Sequence, residues 1–578
     1  MKRVAAARCP PQVPWTDVGG GVRVQRGVRL RLGRGVTLVS DHYYPPGWPG
    51  NGPAPTLLVR QPYGRAIATT VVYAQPEWFA RQGFNVVIQD VRGRGDSDGT
   101  FYPFRHEGAD GARTIEWLAK RPECNGRVGL YGFSYQGLTQ LLAAAEQPEG
   151  LVCIAPAQTA GDLYHGWFYR NGALCLAATI GWAAQLLRAD ARRRRSRAAE
   201  ETLEAAWRRL PELFAAAPYA RIPELTRRGL PAYFTDWVAH REAGTYWAAL
   251  DISTRHDRIA VPALHVAGWF DPYLAGSLDL FTRLRAEAAT PAARAAQHLV
   301  CGPWVHLPWR RRAGDVDFGP EAELDTDALQ VRWFRHWLQG DGSFDDEPPV
   351  RAFVPGENRW LALPGWPAGD AQSTWFLASG GRANSSAGDG KLAEAPAEGP
   401  PDAFCYEPEV PVLAPGPGGA PGVFDQSRAA LLNNVLVYTS PPLLRPLAIG
   451  GTPRVTLFAQ TSAPETDLAA KVVRVQPDGR AWNVSHGIAR SGWLFRRTRH
   501  GADRVQEWTF NLEPACCVLG AGERLRLEVS SGAFPLYDRH PNTATPPHLA
   551  ASRDWRPART LVWHDAVRPS RLELPLLP

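Results

Sequence analysis

Ser134 lies in a sequence typical of a tight strand-to-helix turn. The segment RVGLYGFSYQG joins an apolar β-type run to a helical pattern, LTQLLAAA. Such a turn exposes the serine hydroxyl at a helix N-terminus, where developing negative charge is favoured. Gly132 is a small neighbour that the strained turn needs, but the second glycine is Gly137, one place later than in GxSxG. On its own, the segment fits a structural turn as well as a nucleophile.

An acid and a base follow this serine in a suggestive order. Asp271 comes after the apolar run PALHVAG, and His306 comes after the apolar run QHLVCG. Both positions are at the carboxyl ends of predicted strands, and the order Ser, acid, His is that of α/β-hydrolases. We therefore predict acyl transfer at Ser134, with His306 as base and Asp271 holding the imidazole tautomer. The structural alternative is a capping aspartate and a loop histidine.

The tetrahedral intermediate of acyl transfer needs hydrogen-bond donors for its oxyanion. The backbone N–H of Tyr135 is one candidate, because it follows the nucleophile directly. Tyr63, in the segment LLVRQPYGR, comes at the end of another predicted strand, and its phenol is the second candidate. The alternative for Tyr63 is a core tyrosine.

The elements that must position these residues alternate between strands and helices from about residue 36 to residue 338, which predicts an open α/β core. Apolar residues on both faces of several strands indicate a parallel sheet that is covered on both sides. The predicted strands are Thr56–Val59, Asn85–Ile88, Arg127–Tyr131, Leu151–Ile154, Ala263–Ala267 and His298–Cys301.

Two further units are predicted around this core. Residues 159–250 have helical spacing and would form a helical cap inserted into the core. From about residue 349 the pattern changes to β-type alternation with Gly/Pro turns, as in Arg524–Ser530, which predicts a C-terminal β-sandwich. Residues 379–401 resemble a loop in composition alone. The expected domains are residues 1–155 and 250–345 for the core, 156–249 for the cap and 346–578 for the β domain.

Composition excludes several other classes of protein. The 578 residues are 44% hydrophobic and include 22 Trp, 21 Phe and 16 Tyr, so the chain is globular. The net charge of +7 comes almost entirely from Arg, and the run at residues 192–195 has no interleaved aromatics, so a nucleic-acid partner is not expected. The eight Cys form no CxxC pair, which predicts neither a zinc site nor disulfides. No metal or other cofactor is predicted.

The N-terminal residues lack the apolar core of a signal peptide, and no run of about 18 apolar residues occurs. We therefore expect a cytoplasmic protein without a membrane partner. Nothing in the sequence excludes a homo-oligomer.

The motifs RQPYGR, QDVRGRGDSDG, YGFSYQG, GWFD and GPWVH, with SGGRANS, LVYTS and FPLYDRHPNT in the last third, resemble a known family. It comprises cocaine esterases, α-amino-acid ester hydrolases, glutaryl-cephalosporin acylases and X-Pro dipeptidyl-peptidases. Its serine motif is typically GxSYxG, which accounts for Gly137. The resemblance implies a triad of Ser134, Asp271 and His306, and an oxyanion hole formed by the Tyr63 hydroxyl and the Tyr135 N–H. It also implies a helical cap and a C-terminal jelly roll that includes residues 379–401.

The chain departs from the family pattern in two places. Leu307 follows the base where a small or polar residue is often found. The amino-acid ester hydrolases hold a substrate ammonium with carboxylates, some of them just after the catalytic Asp, where this chain has Pro272 and Tyr273. Asp162 is the nearest acid in the cap, and one carboxylate replaces a cluster poorly because an ammonium is costly to desolvate. Substrates with an α-amino group are therefore disfavoured.

The resemblance to the cocaine esterases implies that several aromatic residues line the acyl pocket, although each on its own is more often a core residue. Aromatic walls select flat or apolar acyl groups. The candidates are Tyr273, Trp167, Phe168, Tyr169 and Trp269. The sequence thus predicts a serine carboxylesterase or acylase for a small ester or amide. The alternatives are an X-Pro dipeptidyl-peptidase, an amidase or an acyltransferase with the same triad, and a catalytically silent binding protein.

Overall fold

A computed structural model describes residues 14–33, 35–66, 71–496 and 504–578. The N-terminal residues on which the expectation about a signal peptide rests, 1–13, lie outside this part of the chain. Of the helices in the described ranges, none is both long enough and apolar enough to span a membrane.

An eleven-stranded sheet forms the core, in the order β1-β2-β3-β5-β4-β6-β7-β8-β9-β10-β11. The strands from β5 to β10 in this order are parallel to one another, and antiparallel strands flank them on both sides. The strands are β1 Trp15–Asp17, β2 Arg23–Gly33, β3 Val36–Tyr44, β4 Ala54–Gln61, β5 Asn85–Asp90, β6 Cys124–Phe133, β7 Leu151–Ala157, β8 Ala263–Gly268, β9 Gln297–Gly302, β10 Val350–Val354 and β11 Arg359–Leu363.

Helices cover both faces of this sheet. Along β4, Leu58 packs into the cluster that contains α2 and α3, whereas Leu57 and Val59 pack into the cluster that contains α1 and α11. This alternation follows from the two-residue period of a strand. The helices outside the cap are α1 Pro76–Arg81, α2 Glu107–Ala119, α3 Tyr135–Ala145, α9 Leu274–Glu287, α10 Pro291–Ala295, α11 Thr326–Gln339 and the short α12 Ser491–Leu494.

All six strands predicted for the core are present, each one to three residues longer than predicted at one or both ends. The helical segment expected to form a cap lies between β7 and β8, and "the cap" denotes these residues of the chain, 159–250. It begins with a single π-helical turn, Tyr164–Phe168. Its α-helices are α4 Leu176–Arg193, α5 Arg197–Arg208, α6 Leu210–Ala215, α7 Tyr233–Ala239 and α8 Thr245–Ala248.

The expected boundary at residue 346 falls before the last two strands of the core sheet. Strands β10 and β11 lie beyond it, yet β10 pairs in parallel with β9 and antiparallel with β11, so both belong to the core sheet. Only this pairing, and not the residue pattern of the two strands, assigns them to the core sheet.

The rest of the chain is a C-terminal β domain with its own buried core. Its large sheet has the order β14-β23-β17-β24-β12-β13-β15-β22-β18-β19, with β20 beside β17, and β16 pairs with β21. Residues 379–401 contribute β13 to this sheet, so they are not a linker. The strands are β12 Gln372–Ala378, β13 Lys391–Ala393, β14 Asp402–Tyr406, β15 Leu436–Thr439, β16 Leu447–Gly451, β17 Arg454–Thr461, β18 Asp467–Val475, β19 Ala481–Arg490, β20 Gln506–Asn511, β21 Ala515–Leu519, β22 Arg524–Ser530, β23 Ala558–Trp563 and β24 Arg571–Pro575.

Candidate active site

Ser134 occupies a strained turn between β6 and α3. Its backbone has φ 59° and ψ −125°, a conformation that residues other than glycine rarely adopt. The Ser134 N–H donates to the Ala157 carbonyl at the end of β7 over 2.9 Å, which ties the turn to the sheet. The residue is 8% exposed. The side chain is therefore presented at the carboxyl edge of the sheet by a fixed backbone.

The two glycines of the motif are explained by close approaches. A Cβ on Gly132, whose φ is +136°, would lie 2.5 Å from the Gln136 Cβ. A Cβ on Gly137 would lie 2.7 Å from the Thr159 side chain, so α3 could not pack against the chain after β7. Gln136 fills the place of the usual glycine because its side-chain oxygen accepts from the Phe133 N–H over 3.3 Å. The unusual spacing is therefore compatible with the same tight turn.

The loops that carry Asp271 and His306 follow neighbouring parallel strands. Gly268 and Gly302, the last residues of β8 and β9, are in register. Beyond them the loops bond to each other, because the Phe270 N–H donates to the Trp304 carbonyl over 3.1 Å. The acid and the base are thus brought to the same edge of the sheet by strand register.

Asp271 and His306 form a short hydrogen-bonded pair. His306 Nδ1 lies 2.6 Å from Asp271 Oδ2, and the Tyr273 N–H donates to Asp271 Oδ1 over 2.6 Å. The Asp271 side chain is fully buried, whereas that of His306 is 21% exposed. The imidazole packs against the ring of Phe133, the residue before Ser134, at 5.5 Å between centroids. The geometry joins the predicted acid and base and places the base beside the serine turn.

The Tyr63 hydroxyl has an indole partner that the sequence did not indicate. Trp182, on helix α4, donates its Nε1–H to the Tyr63 oxygen over 3.2 Å. Burial raises the pKa of Tyr63 to about 12, so the phenol keeps its proton at neutral pH. An accepted hydrogen bond occupies a lone pair and leaves the O–H free to donate elsewhere.

The Tyr135 hydroxyl belongs to a buried hydrogen-bond network. Its hydroxyl donates to Glu107 Oε1 over 2.8 Å and accepts from the Phe104 N–H over 3.1 Å. Glu107 in turn pairs with Arg60 over 2.9 Å, and all of these side chains are buried. As the first residue of α3, Tyr135 has a backbone N–H that the i→i−4 ladder of the helix does not use. This N–H is available to a ligand beside Ser134.

Two of the predicted pocket aromatics are close to the base. The rings of Trp167 and Tyr273 stack with centroids 4.1 Å apart, and Tyr273 meets the imidazole of His306 edge-on at 5.1 Å. Trp167 also contacts Trp182 at 5.6 Å. Trp182, Trp167 and Tyr273 thus form a line of ring contacts that ends at the imidazole of His306.

The other predicted pocket residues have packing or hydrogen-bond partners of their own, and Trp269 also lines a cavity of about 240 Å³ together with Asp271. Phe168 is buried among the tryptophans of the cap, and the hydroxyl of buried Tyr169 donates to the Trp237 carbonyl over 2.9 Å. Trp269 donates its indole N–H to the Phe353 carbonyl of β10 over 2.7 Å. The sequence could not separate these from Trp167, because all four lie in similarly apolar segments.

The carboxylate of Asp162 is hydrogen-bonded to His165 in the cap. Its Oδ1 accepts from the His165 backbone N–H over 2.9 Å, and its Oδ2 pairs with Nδ1 of the His165 ring over 2.8 Å. It lines a cleft of about 630 Å³ between the cap, α9 and the C-terminal domain, and the residues lining this cleft include neither Ser134 nor His306. Asp162 is therefore not placed to bind an ammonium at the site.

Two family models match the chain one after the other, and the second begins before strands β10 and β11. The model of the X-Pro dipeptidyl-peptidase (S15 family) matches residues 34–308, and the model of the X-Pro dipeptidyl-peptidase C-terminal non-catalytic domain matches residues 342–573. The cocaine esterase of Rhodococcus sp. (strain MB1 Bresler) is 33% identical over 549 residues, which cover 91% of this chain and 94% of that protein. The chain belongs to the family of the cocaine esterases and the X-Pro dipeptidyl-peptidases (S15 family). It is thus a serine hydrolase of the cocaine esterase and S15 peptidase family, which acts on esters or amides.

Solved structures agree with the family's fold. An aminopeptidase from a marine sediment archaeon, Thaumarchaeota archaeon, superposes with a TM-score of 0.79 at 24% identity, covering 99% of both chains. An α-amino acid ester hydrolase superposes with a TM-score of 0.78 at 23% identity, covering 99% of this chain and all of the other. These identities support the mixed α/β fold with its C-terminal domain. Family membership also removes the alternative of a catalytically silent binding protein.

Proposed function

We propose that this family member is a carboxylesterase for small esters with an uncharged acyl group, and that Ser134, His306 and Asp271 form its catalytic triad. The observation that carries the proposal is the 2.6 Å pair between His306 Nδ1 and the buried carboxylate of Asp271, beside a serine on a strained turn. An aspartate in this position holds the imidazole tautomer and stabilises its cation.

The reaction proceeds in two halves. His306 takes the proton from Ser134 Oγ as Oγ bonds to the ester carbonyl carbon. The oxyanion accepts hydrogen bonds from the Tyr135 N–H and the Tyr63 O–H. Collapse breaks the bond to the alcohol, which leaves with the proton from His306. Water then repeats these steps on the acyl-enzyme and releases the acid and free Ser134.

The proposed acyl preference rests on the stacked pair of Trp167 and Tyr273. Their aromatic faces favour flat or apolar acyl groups. The place just after Asp271 is occupied by Pro272 and Tyr273 rather than carboxylates, and Asp162 is paired with His165. A charged α-amino group would lose its hydration there without an opposite charge.

The proposed architecture has an α/β-hydrolase core that begins within the described residues at 14 and comprises residues up to 155 and 250–363, a helical cap of residues 156–249 and a C-terminal jelly roll. Three cap features support the assignment: its position between β7 and β8, its helices and the contribution of Trp182 to the site. A cytoplasmic location remains a prediction from the sequence.

The proposal is tested with a fluorophosphonate probe and a panel of p-nitrophenyl acyl esters. We expect the probe to label the protein, and Ser134→Ala to lose both labelling and ester hydrolysis. Ala-Pro and Gly-Pro anilides should be cleaved far more slowly than the esters. Asp162→Asn is the matched control for a loop carboxylate outside the triad and should keep activity. Labelling that persists in Ser134→Ala would remove the assignment, and faster cleavage of the anilides would remove the substrate class.

A further inference from the structure

Arg170 connects the three parts of the molecule around the acid loop. It lies in the cap, directly after the π-helical turn, and its side chain is 11% exposed. Its Nη2–H donates to the Pro272 carbonyl over 2.8 Å, and its Nε–H donates to Glu513 Oε1 of the C-terminal domain over 2.7 Å. Nη1 donates to the carbonyl of His165 over 2.6 Å. The guanidinium is thus fixed on several sides.

The hydrogen bond from Arg170 to the Pro272 carbonyl acts on the peptide unit that also contacts Asp271. The peptide unit whose oxygen accepts from Arg170 is the one whose N–H, on Tyr273, donates to Asp271 Oδ1 over 2.6 Å. A peptide unit is planar, so fixing its oxygen also fixes the direction of its N–H. Hydrogen bonds in such a chain polarise one another, and a cation on the oxygen makes the N–H a stronger donor.

This arrangement forms a continuous line of contacts. It runs from the Glu513 carboxylate to Arg170, through the peptide of Pro272 and Tyr273 to Asp271, and from Asp271 to His306. Glu513 is itself anchored, because its backbone N–H donates to the His486 carbonyl of β19 over 2.8 Å. Each side-chain contact in the line is 2.6–2.8 Å long.

We propose that Arg170 is a positioning residue for Asp271, and that the C-terminal domain acts on the acid loop through Glu513. The inference rests on the proposed triad. Without the guanidinium, the peptide after Asp271 can rotate, and the Tyr273 N–H no longer fixes the carboxylate in the orientation that meets His306. A small misplacement of a catalytic group can cost about 10²-fold in rate.

The experiment compares Arg170→Met, Arg170→Lys and Glu513→Gln in the full chain with a p-nitrophenyl ester. We expect Arg170→Met to lower kcat by about 10²-fold with little change in KM. Arg170→Lys should recover part of this loss, because an ammonium can still donate to one of the two partners but not bridge them in the geometry of a guanidinium. Glu513→Gln keeps an acceptor oxygen and should cause a smaller loss.

The separate effects on kcat and KM distinguish positioning from general stability. A loosened Asp271 slows the proton transfers of His306 and lowers kcat, whereas the contacts that bind the substrate, and therefore KM, stay in place. Rates are expressed per site labelled by the fluorophosphonate, which corrects for any unfolded fraction. Arg283→Met is the matched control, because Arg283 lines the same cleft and pairs with Asp279 without contacting the acid loop.

The outcomes separate the two proposals. If Ser134→Ala keeps its activity, the proposed function itself fails. If Ser134→Ala is inactive while Arg170→Met keeps the kcat of the original protein, positioning by Arg170 is overturned alone. An equal loss in Arg283→Met would also overturn it.

Discussion

Tyr63→Phe tests the oxyanion hole by removing a single oxygen atom. In the structure that oxygen accepts from Trp182 Nε1 over 3.2 Å, and its own proton is retained because burial raises the pKa of Tyr63 to about 12. If this O–H stabilises the oxyanion, its loss acts on the transition state and not on the bound substrate. The competing interpretation is a tyrosine that serves only packing.

An oxyanion donor and a packing tyrosine predict different effects of Tyr63→Phe on kcat and on stability. Removing one oxyanion donor costs about 10²–10³ in kcat, or roughly 2.7–4 kcal/mol, with KM nearly unchanged. A packing tyrosine would leave kcat unchanged and lower only the stability. In either case Trp182 loses an acceptor, and an unsatisfied donor costs about 1–3 kcal/mol when it is buried. Because Trp182 is only half-buried, the lower end of that range is expected.

The assay measures kcat and KM for a p-nitrophenyl ester together with the midpoint of thermal unfolding. Tyr219→Phe is the matched control, since it removes a buried hydroxyl that donates to Asp538 over 2.8 Å, at the contact between the cap and the C-terminal domain. We expect it to lower stability and to leave kcat unchanged. A Tyr63→Phe enzyme whose kcat stays within about threefold of the original would refute the role of the Tyr63 hydroxyl, since the expected loss is at least 10²-fold.

Two other predictions follow from buried polar groups. Asp271→Asn should lower kcat by about 10⁴-fold, because an amide N–H in place of Oδ2 favours the wrong imidazole tautomer. Stopped-flow ester hydrolysis measures this kcat, and a loss of less than about tenfold would contradict the role of Asp271 in holding the tautomer. The second prediction concerns buried His42. Burial lowers the pKa of His42 from 6.5 to about 3, so in the pH range between these two pKa values the unfolded chain binds a proton that the folded chain does not. Stability is therefore fully present above pH 6.5 and falls as the pH drops, by about 2 kcal/mol at pH 5 for this residue. His42→Gln should reduce that fall in denaturant titrations at pH 7 and 5, and an unchanged fall would contradict the assignment.

The sequence predicted the parts of the site that depend on strand ends. Asp271 and His306 follow strands that are parallel and in register, so the patterns of β8 and β9 were enough to bring the two side chains together. The residues that hold the site were not predictable in this way. Trp182 and Arg170 lie in the cap, where their partners Tyr63 and Glu513 are distant in the chain.

Other features of the fold depend on contacts that the residue pattern does not show. The hairpin of β10 and β11 is assigned to the core sheet only by its pairing with β9. Phe168 and Tyr169 were indistinguishable from Trp167 in the sequence, because burial in a core and contact with a ligand both favour aromatic residues. Tertiary contacts, and not local pattern, decide such cases.

The core sheet, the cap and the C-terminal domain make different contributions to the proposed site. The sheet supplies Ser134, Asp271 and His306 through strand ends and one strained turn. The Tyr63 hydroxyl, however, accepts its hydrogen bond from the cap, and the carbonyl next to Asp271 is held by Arg170, which the C-terminal domain anchors. A catalytic site depends on the orientation of its groups as much as on their presence. The added units therefore act on the orientation of the groups that the core provides.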